Sequence, residues 1–327
     1  MLHHRLIVTT LFCNLFFGIA RGGDHSAMGP AIAAGASASE PISATHEDFS
    51  CAASGEAAGD ALTVPTTLAG VPAILRVPKA IRKPPIVLWH GLGPPASESE
   101  LMKALPLDDV PSVKVYLGLP LFGARAPSDG AESLARRQAE DYASRLFEPV
   151  VVGAAKELPA VLKALREKRC LGPNDEIGLF GFSAGGTAVL IALTEPDVPV
   201  RAAVTVNAPT GLSTAIDAME RATKRQYVWT ASARQLAERS DSIRHGAAIA
   251  SGTSPPALLL FHGADDTIVM PSGAEALRAV LQPYYQRSGN DQRLKLVIAS
   301  GVSHSWTEPQ PLQQLRASVA DWFNRYL

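Results

Sequence analysis

The stretch IGLFGFSAGGTAVLIAL, residues 177–193, decides the fold. An apolar run reaches a serine set among glycines and leaves as a second apolar run. A serine in that place is a helix cap, a member of a phosphate-binding loop or a nucleophile. Capping is the commonest role for a serine that precedes a helix. A phosphate loop requires G-x-x-x-x-G-K-[ST], and the chain has no such segment. The third reading has its own pattern, G-x-S-x-G, met by Gly181-Phe182-Ser183-Ala184-Gly185 with Gly186 following. A sharp strand-to-helix turn strains the serine backbone, and only small neighbours avoid a clash there. The turn lifts the hydroxyl above the sheet, and the helix N-terminus beneath it favours developing negative charge. The flanks EIGLF and TAVLIAL supply the strand and the helix that this geometry needs.

The same alternation runs through most of the chain. Apolar segments read as strands at IVLWHGLG, VKVYLGLP (113–120), EIGLFGFS (176–183), RAAVTVNAP (201–209), ALLLFHGADD (257–266) and LKLVIASGVSH (294–304). They lack polar alternation, as expected of parallel strands covered on both faces. Upstream, LTVPTTL-AG-VPAILRVP reads as a hairpin, and the prolines in both arms argue for the edge of a sheet. Helical patterns lie between the strands. The longest, residues 132–169, contains Pro149 and Pro159, which are expected to kink or divide it. Segments 272–288 and 311–327 are amphipathic helices. The fold class is therefore α/β, a doubly wound and mostly parallel sheet with ligands at the carboxyl ends of the strands. Residues 210–255 interrupt the alternation and read as two or three short helices, a small helical cap insertion over those strand ends.

A serine hydroxyl is a poor nucleophile until a base removes its proton, and the base needs an orienting acid. In folds with this elbow the order along the chain is serine, acid, histidine. Three histidines follow Ser183: His245 in the cap segment, His262 at the end of one strand and His304 at the end of the last. The segment HGADDTIV offers two acids, Asp265 and Asp266, after a late strand. Only His304 follows them, which makes His304 the base by elimination. His245 is expected to face solvent.

At these residues the chain resembles the α/β-hydrolases, in particular the dienelactone-hydrolase and prolyl-oligopeptidase-like branch, from about residue 62 to 327. In that family the late-strand motif is H-G-x-x-D-x-x-V with the triad acid at D. Here His262-Gly263-Ala264-Asp265-Asp266-Thr267-Ile268-Val269 matches it, so the resemblance implies Asp266, with Asp265 one position away. It likewise implies an oxyanion hole from the amide after an early H-G, here Leu92 in His90-Gly91-Leu92, and from Ala184 after the nucleophile. Two such amides would each lower the barrier by roughly 3 kcal/mol. His90 and His262 are read as histidines shaping turns, with no metal site implied. The dienelactone hydrolases carry cysteine at the elbow where this chain has Ser183, which argues against that particular reaction.

Other features bound the reading. The chain has 327 residues, 46% hydrophobic and 19% charged, with a formal net charge of −1 and no basic stripe, so a nucleic-acid partner is not expected. Residues 1–20 combine one arginine, an apolar run and small residues before a plausible cleavage site, which reads as a signal peptide; an uncleaved anchor is the alternative. Residues 21–60 form an Ala/Gly/Ser-rich linker ahead of the domain at 61–327. The expectation is export, periplasmic or extracellular, without stable membrane insertion. Two cysteines would remain, Cys51 and Cys170. An oxidising compartment would let them pair, but sequence gives no distance between them, and two unpaired thiols are expected.

G-x-G-x-x-A at Gly91, Gly93 and Ala96 loosely matches a dinucleotide fingerprint, but Pro94 and Pro95 disturb the required turn, and no cofactor is expected. Arg125 is a possible contact for a substrate carboxylate, or pairs with an acid such as Asp129. Tyr227 and Trp229 either line an acyl pocket or pack the cap against the core. The reading is an exported serine hydrolase, carboxylesterase-like with a peptidase possible, acting on a small acyl substrate or short peptide. A non-catalytic binding protein on the same fold and an acyltransferase with the same triad are the alternatives.

Overall fold

A computed structural model describes residues 49–53, 61–252 and 254–327. The expected signal peptide and most of the linker lie outside the described residues. Eight strands form one sheet: β1 (Leu62–Leu68), β2 (Val71–Val77), β3 (Ile86–Trp89), β4 (Lys114–Leu117), β5 (Ile177–Phe182), β6 (Val200–Val206), β7 (Ala257–Gly263) and β8 (Leu294–Ala299). Their spatial order is β1-β2-β4-β3-β5-β6-β7-β8. The pairs β1/β2 and β2/β4 are antiparallel, and every pair from β4/β3 to β7/β8 is parallel. The β1–β2 hairpin turns at Ala69 and Gly70, both with positive φ, the geometry that suits the twist of paired strands. Only β1 of that hairpin lies at the edge. Pro72 belongs to a strand with neighbours on both sides, and its carbonyl accepts from the Gly118 amide at 3.1 Å.

The central strands are buried on both faces, which explains why their sequences do not alternate. In β3, Val87 and Trp89 join the core on one face of the sheet, and Ile86 and Leu88 join the core on the other. Helix α1 (Glu98–Ala104) precedes β4. The predicted long helix is three elements: α2 (Gly130–Tyr142), a π-helical segment (Ala143–Val152) and α3 (Gly153–Glu167). The break is not at a proline. It falls at Asp141, whose φ of −165° and ψ of 101° leave the helical region. Pro149 sits inside the π-helical segment and Pro159 inside α3.

Helix α4 (Ala184–Ala192) is buried along its whole length, in contrast to the amphipathic helices that face solvent. The cap is three helices, α5 (Leu212–Thr223), α6 (Ala231–Ser240) and α7 (Gly246–Ile249), as the sequence pattern predicts. Helix α8 (Ser272–Arg287) precedes β8, and α9 (Pro309–Tyr326) ends the chain. Among the described residues no helix is long and apolar enough to cross a membrane.

The expectation of two free thiols is corrected: Cys51 and Cys170 form a disulfide with Cα atoms 5.0 Å apart. The turn after α3 brings them together. Arg169 adopts a left-handed φ of 54°, and the Cys51 amide donates to the Lys168 carbonyl at 3.0 Å. A second constraint pins the end of β3. His90 is fully buried, and the Leu119 amide donates to its Nε2 at 3.1 Å. Its proton therefore resides on Nδ1, which donates to the Gly91 carbonyl at 2.7 Å. Burial holds its pKa down at about 4, against a weaker raising effect of the Gly91 carbonyl.

Two outcomes are expected. The disulfide spans a sequence separation of 119, and closing a loop of that order stabilises a fold by about 2–4 kcal/mol in typical cases. Reduction should therefore lower Tm by several degrees, and Cys170→Ser should do the same without reductant. Equal Tm with and without reductant would mean that the bond contributes nothing. For His90, the unfolded chain takes up a proton below its ordinary pKa of 6.5 while the folded chain refuses it down to about 4. Stability from the neutral ring is thus complete above the unfolded value and lost as pH falls through the folded one, by about 3 kcal/mol. Denaturant melts from pH 7 to pH 4 should show this decline, and His90→Gln should flatten it from a lower starting point.

Candidate active site

Ser183 is the first residue beyond β5 and immediately precedes α4. Its φ of 51° and ψ of −117° lie in a region that a residue with a Cβ rarely adopts, a strain on the order of 1–3 kcal/mol that the surroundings must impose. The glycines explain how. A Cβ on Gly181 would stand 2.1 Å from the Gly185 carbonyl oxygen, and one on Gly185 would stand 2.4 Å from that of His90. The close approach of α4 to the ends of β3 and β5 therefore excludes any side chain at either position.

Two loops complete the site. Asp266 follows β7 by three residues and is 2% exposed, whereas Asp265 beside it is exposed. The Asp266 Oδ1 accepts from the Ile268 and Val269 amides at 2.9 and 2.8 Å. Its Oδ2 lies 2.8 Å from His304 Nδ1 and 3.4 Å from His262 Nε2. Burial alone would raise the Asp266 pKa. The interactions with His262, His304 and the Val269 amide outweigh it and bring the pKa down to about 2. The carboxylate is therefore ionised at neutral pH and can only accept, so His304 carries its proton on Nδ1. That leaves a lone pair on Nε2, which faces Ser183 Oγ at 3.1 Å. Phe182 packs against the imidazole with ring centroids 5.3 Å apart.

Leu92 and Ala184 both line the cavity above Ser183. Ala184 opens α4, so its N–H has no acceptor within the helix. Leu92 is oriented indirectly. His90 Nδ1 holds the Gly91 carbonyl, and in a trans peptide the following N–H points the opposite way, so the Leu92 amide is turned away from the His90 ring. Gly91 itself must lack a side chain, since its Cβ would sit 2.8 Å from the Phe182 ring.

One residue that the motifs do not mark holds the two loops in register. Asn207, just beyond β6 with a φ of 48°, is fully buried. Its Nδ2 donates to the carbonyls of Ser303 and His304 at 2.9 and 3.0 Å, and its Oδ1 accepts from the Gly263 amide at 2.8 Å. It thus clamps the acid loop to the histidine loop. The sequence signal was an asparagine directly after an apolar strand, a residue type tolerant of left-handed backbone.

The cavity over Ser183 has a volume of about 110 Å³. Its walls come from the π-helical segment through Phe147 and Val151, and from cap helix α5 through Ala215, Ala218 and Met219. Arg125 does not reach it. The guanidinium is held by Glu157 at 2.8 and 3.0 Å and by the Gly118 carbonyl at 2.6 Å, so of the two readings of Arg125 the structure shows the pairing with an acid, and that acid is Glu157. Asp129 pairs with Arg136 instead. Tyr227 and Trp229 lie outside the cavity lining and pack edge to face, with Tyr227 Oη donating to Asp141. His245 is half-buried, with Nε2 3.1 Å from the Glu238 carbonyl. His262 contacts the Val269 carbonyl at 2.8 Å and so shapes the acid loop. Among the described residues no group of three or more metal-ligating side chains is gathered.

Several solved structures share this fold. A protein called TT1662 from Thermus thermophilus superposes with a TM-score of 0.58 at 20% identity, covering 81% of this chain and 99% of the other. A puromycin-hydrolyzing peptidase of Mycobacterium tuberculosis gives 0.57 at 16%, over 82% of this chain and 39% of the peptidase. An acylaminoacyl peptidase of Pyrococcus horikoshii gives 0.56 at 16%, over 82% and 42%. The chain thus spans about two fifths of the length of those two peptidases. No curated protein matches the sequence. Residues 151–327, more than half of the chain, match the model of the prolyl oligopeptidase family, and the protein accordingly belongs to that family of serine hydrolases.

Proposed function

We propose that the protein is an exported hydrolase that cleaves an ester of a small acyl group, or a thioester or amide, through an acyl-enzyme on Ser183. The supporting observation is the unbroken line from the ionised Asp266 through His304 to Ser183 Oγ, with contacts of 2.8 and 3.1 Å, at the floor of an apolar cavity.

In this reading His304 Nε2 takes the Ser183 proton as Oγ attacks the carbonyl carbon. Asp266 holds the resulting imidazolium, and the tetrahedral oxyanion lies between the Leu92 and Ala184 amides. On collapse the bond to the leaving group breaks, and His304 returns the proton to the departing oxygen, sulfur or nitrogen. Water then enters, gives a proton to His304 and releases the acid, restoring Ser183. Cleavage of an amide is the second reading, favoured by the likeness to two peptidases. Export is supported by the apolar N-terminus and by the Cys51–Cys170 disulfide, a bond characteristic of oxidising compartments.

A fluorophosphonate should label the folded protein on Ser183, with the adduct located by peptide mass spectrometry. Ser183→Ala should fold with unchanged Tm and lose at least about 10⁴-fold in kcat. Retention of activity would remove the assignment. Asp266→Asn should reverse the His304 tautomer and cost on the order of 10⁴-fold. Asp265→Asn should leave kcat/KM within roughly threefold, as expected of an exposed side chain away from the reaction. The opposite ranking in initial-rate measurements would move the acid by one residue.

A further inference from the structure

Tyr142 is the last residue of α2 and stands at the helix break, between the non-helical Asp141 and the π-helical segment. It is 8% exposed and lines the cavity over Ser183 beside Phe147, with ring centroids 6.5 Å apart. The neighbouring backbone is fixed from several directions. The Asp141 carboxylate accepts from the Ala143 amide at 3.0 Å and from Ser144 Oγ at 2.6 Å, and it also takes the Tyr227 hydroxyl of the cap segment. The break is thus a braced feature, and it sets Tyr142 in the cavity lining beside the carbon side chains of Phe147 and Val151.

The Tyr142 hydroxyl makes no hydrogen bond to any described residue. Nor is it among the polar atoms sealed off without a partner, which lie on Glu98, Arg125, Arg137, Arg166, Ser242 and Trp306. Burial pushes its pKa up, so it remains a donor across the working pH range. Thr187, another hydroxyl of the lining, is already committed to the Pro209 carbonyl at 2.8 Å. A bound acyl chain that covers this hydroxyl leaves a buried donor unmet, which is costly unless something polar on the chain meets it.

The side of the cavity follows from the chemistry. His304 delivers a proton to the leaving group, so the leaving group lies towards His304 and the exposed Ser305. The remaining walls, from the helix break and the π-helical segment (Tyr142, Phe147, Val151) and from α5, are left for the acyl part. The cavity of about 110 Å³ is also well below the ~300–1,000 Å³ that encloses a drug-sized ligand.

We propose that Tyr142 is a specificity-determining donor, and that the substrate class is esters of short, uncharged acyl groups that carry a hydrogen-bond-accepting oxygen on the chain. This rests on the acyl-enzyme reading above. A site built to bond such an oxygen rejects the analogue that lacks it, because the donor is then left unpaired.

The experiment compares wild type with Tyr142→Phe on four 4-nitrophenyl esters. Butyrate and 4-methylpentanoate are the apolar members; methoxyacetate and 4-oxopentanoate are their oxygenated counterparts. The ratio of wild-type to variant kcat/KM cancels the intrinsic reactivity of each ester. It should be at least about tenfold larger for an oxygenated ester than for its apolar counterpart in at least one of the two pairs. Equal ratios across the four, whether all near one or all large, would overturn the inference and leave the hydrolase reading intact. Fluorophosphonate labelling of Ser183 without turnover of any ester would overturn the substrate class. A folded wild type that neither labels nor turns over would overturn the hydrolase reading, and the inference with it.

Discussion

The approach of helix α4 to the ends of β3 and β5 governs the site. Backbone touches backbone there, with the Gly185 Cα facing the His90 carbonyl and the Gly181 Cα facing the Gly185 carbonyl. That contact forces Ser183 into its left-handed conformation and places its hydroxyl in reach of His304. The same contact leaves the Ala184 amide free at the start of a helix, where a negative charge is best received. The placement of the Ser183 hydroxyl and the free Ala184 amide are thus two consequences of one packing constraint. The cost in backbone strain is supported by a helix that is buried along its whole length.

A second layer of polar residues keeps the loops at the strand ends from drifting. His90 orients the Gly91–Leu92 peptide, His262 shapes the acid loop, and Asn207 joins that loop to the one carrying His304. Each is buried and hydrogen-bonded, as polar groups in a core must be. His90 also shows that a buried histidine near a reactive centre need not titrate there. Its Nε2 accepts from an amide, which fixes the neutral tautomer, and its task is geometric.

The cavity is built from elements that are far apart in sequence. The π-helical segment supplies one wall and α5 of the cap another, and Tyr227 hydrogen-bonds across to Asp141 at the break between α2 and that segment. Access to Ser183 therefore depends on cap and wall together. Pro149 misleads as a marker of the kink because the π-helical segment accommodates it, while an aspartate with extended backbone makes the actual break.

The chain order alone determined the α/β alternation, the sharp turn at Ser183, the pairing of His304 with that serine and a cap of short helices, because these depend on local periodicity, on residue order and on residue types with sharp steric demands. A glycine pattern around a serine is local physics, and an unalternating apolar strand announces burial on both faces. Residue type alone does not separate Asp266 from Asp265; the family motif implies Asp266, and the fold supplies the physical difference, since the turn after β7 buries Asp266 and exposes Asp265. The Cys51–Cys170 bond, the clamp at Asn207, the pairing of Arg125 with Glu157 and the free hydroxyl of Tyr142 were likewise tertiary decisions. Each joins residues, or sets a side chain against a cavity, through distances that no spacing along the chain encodes.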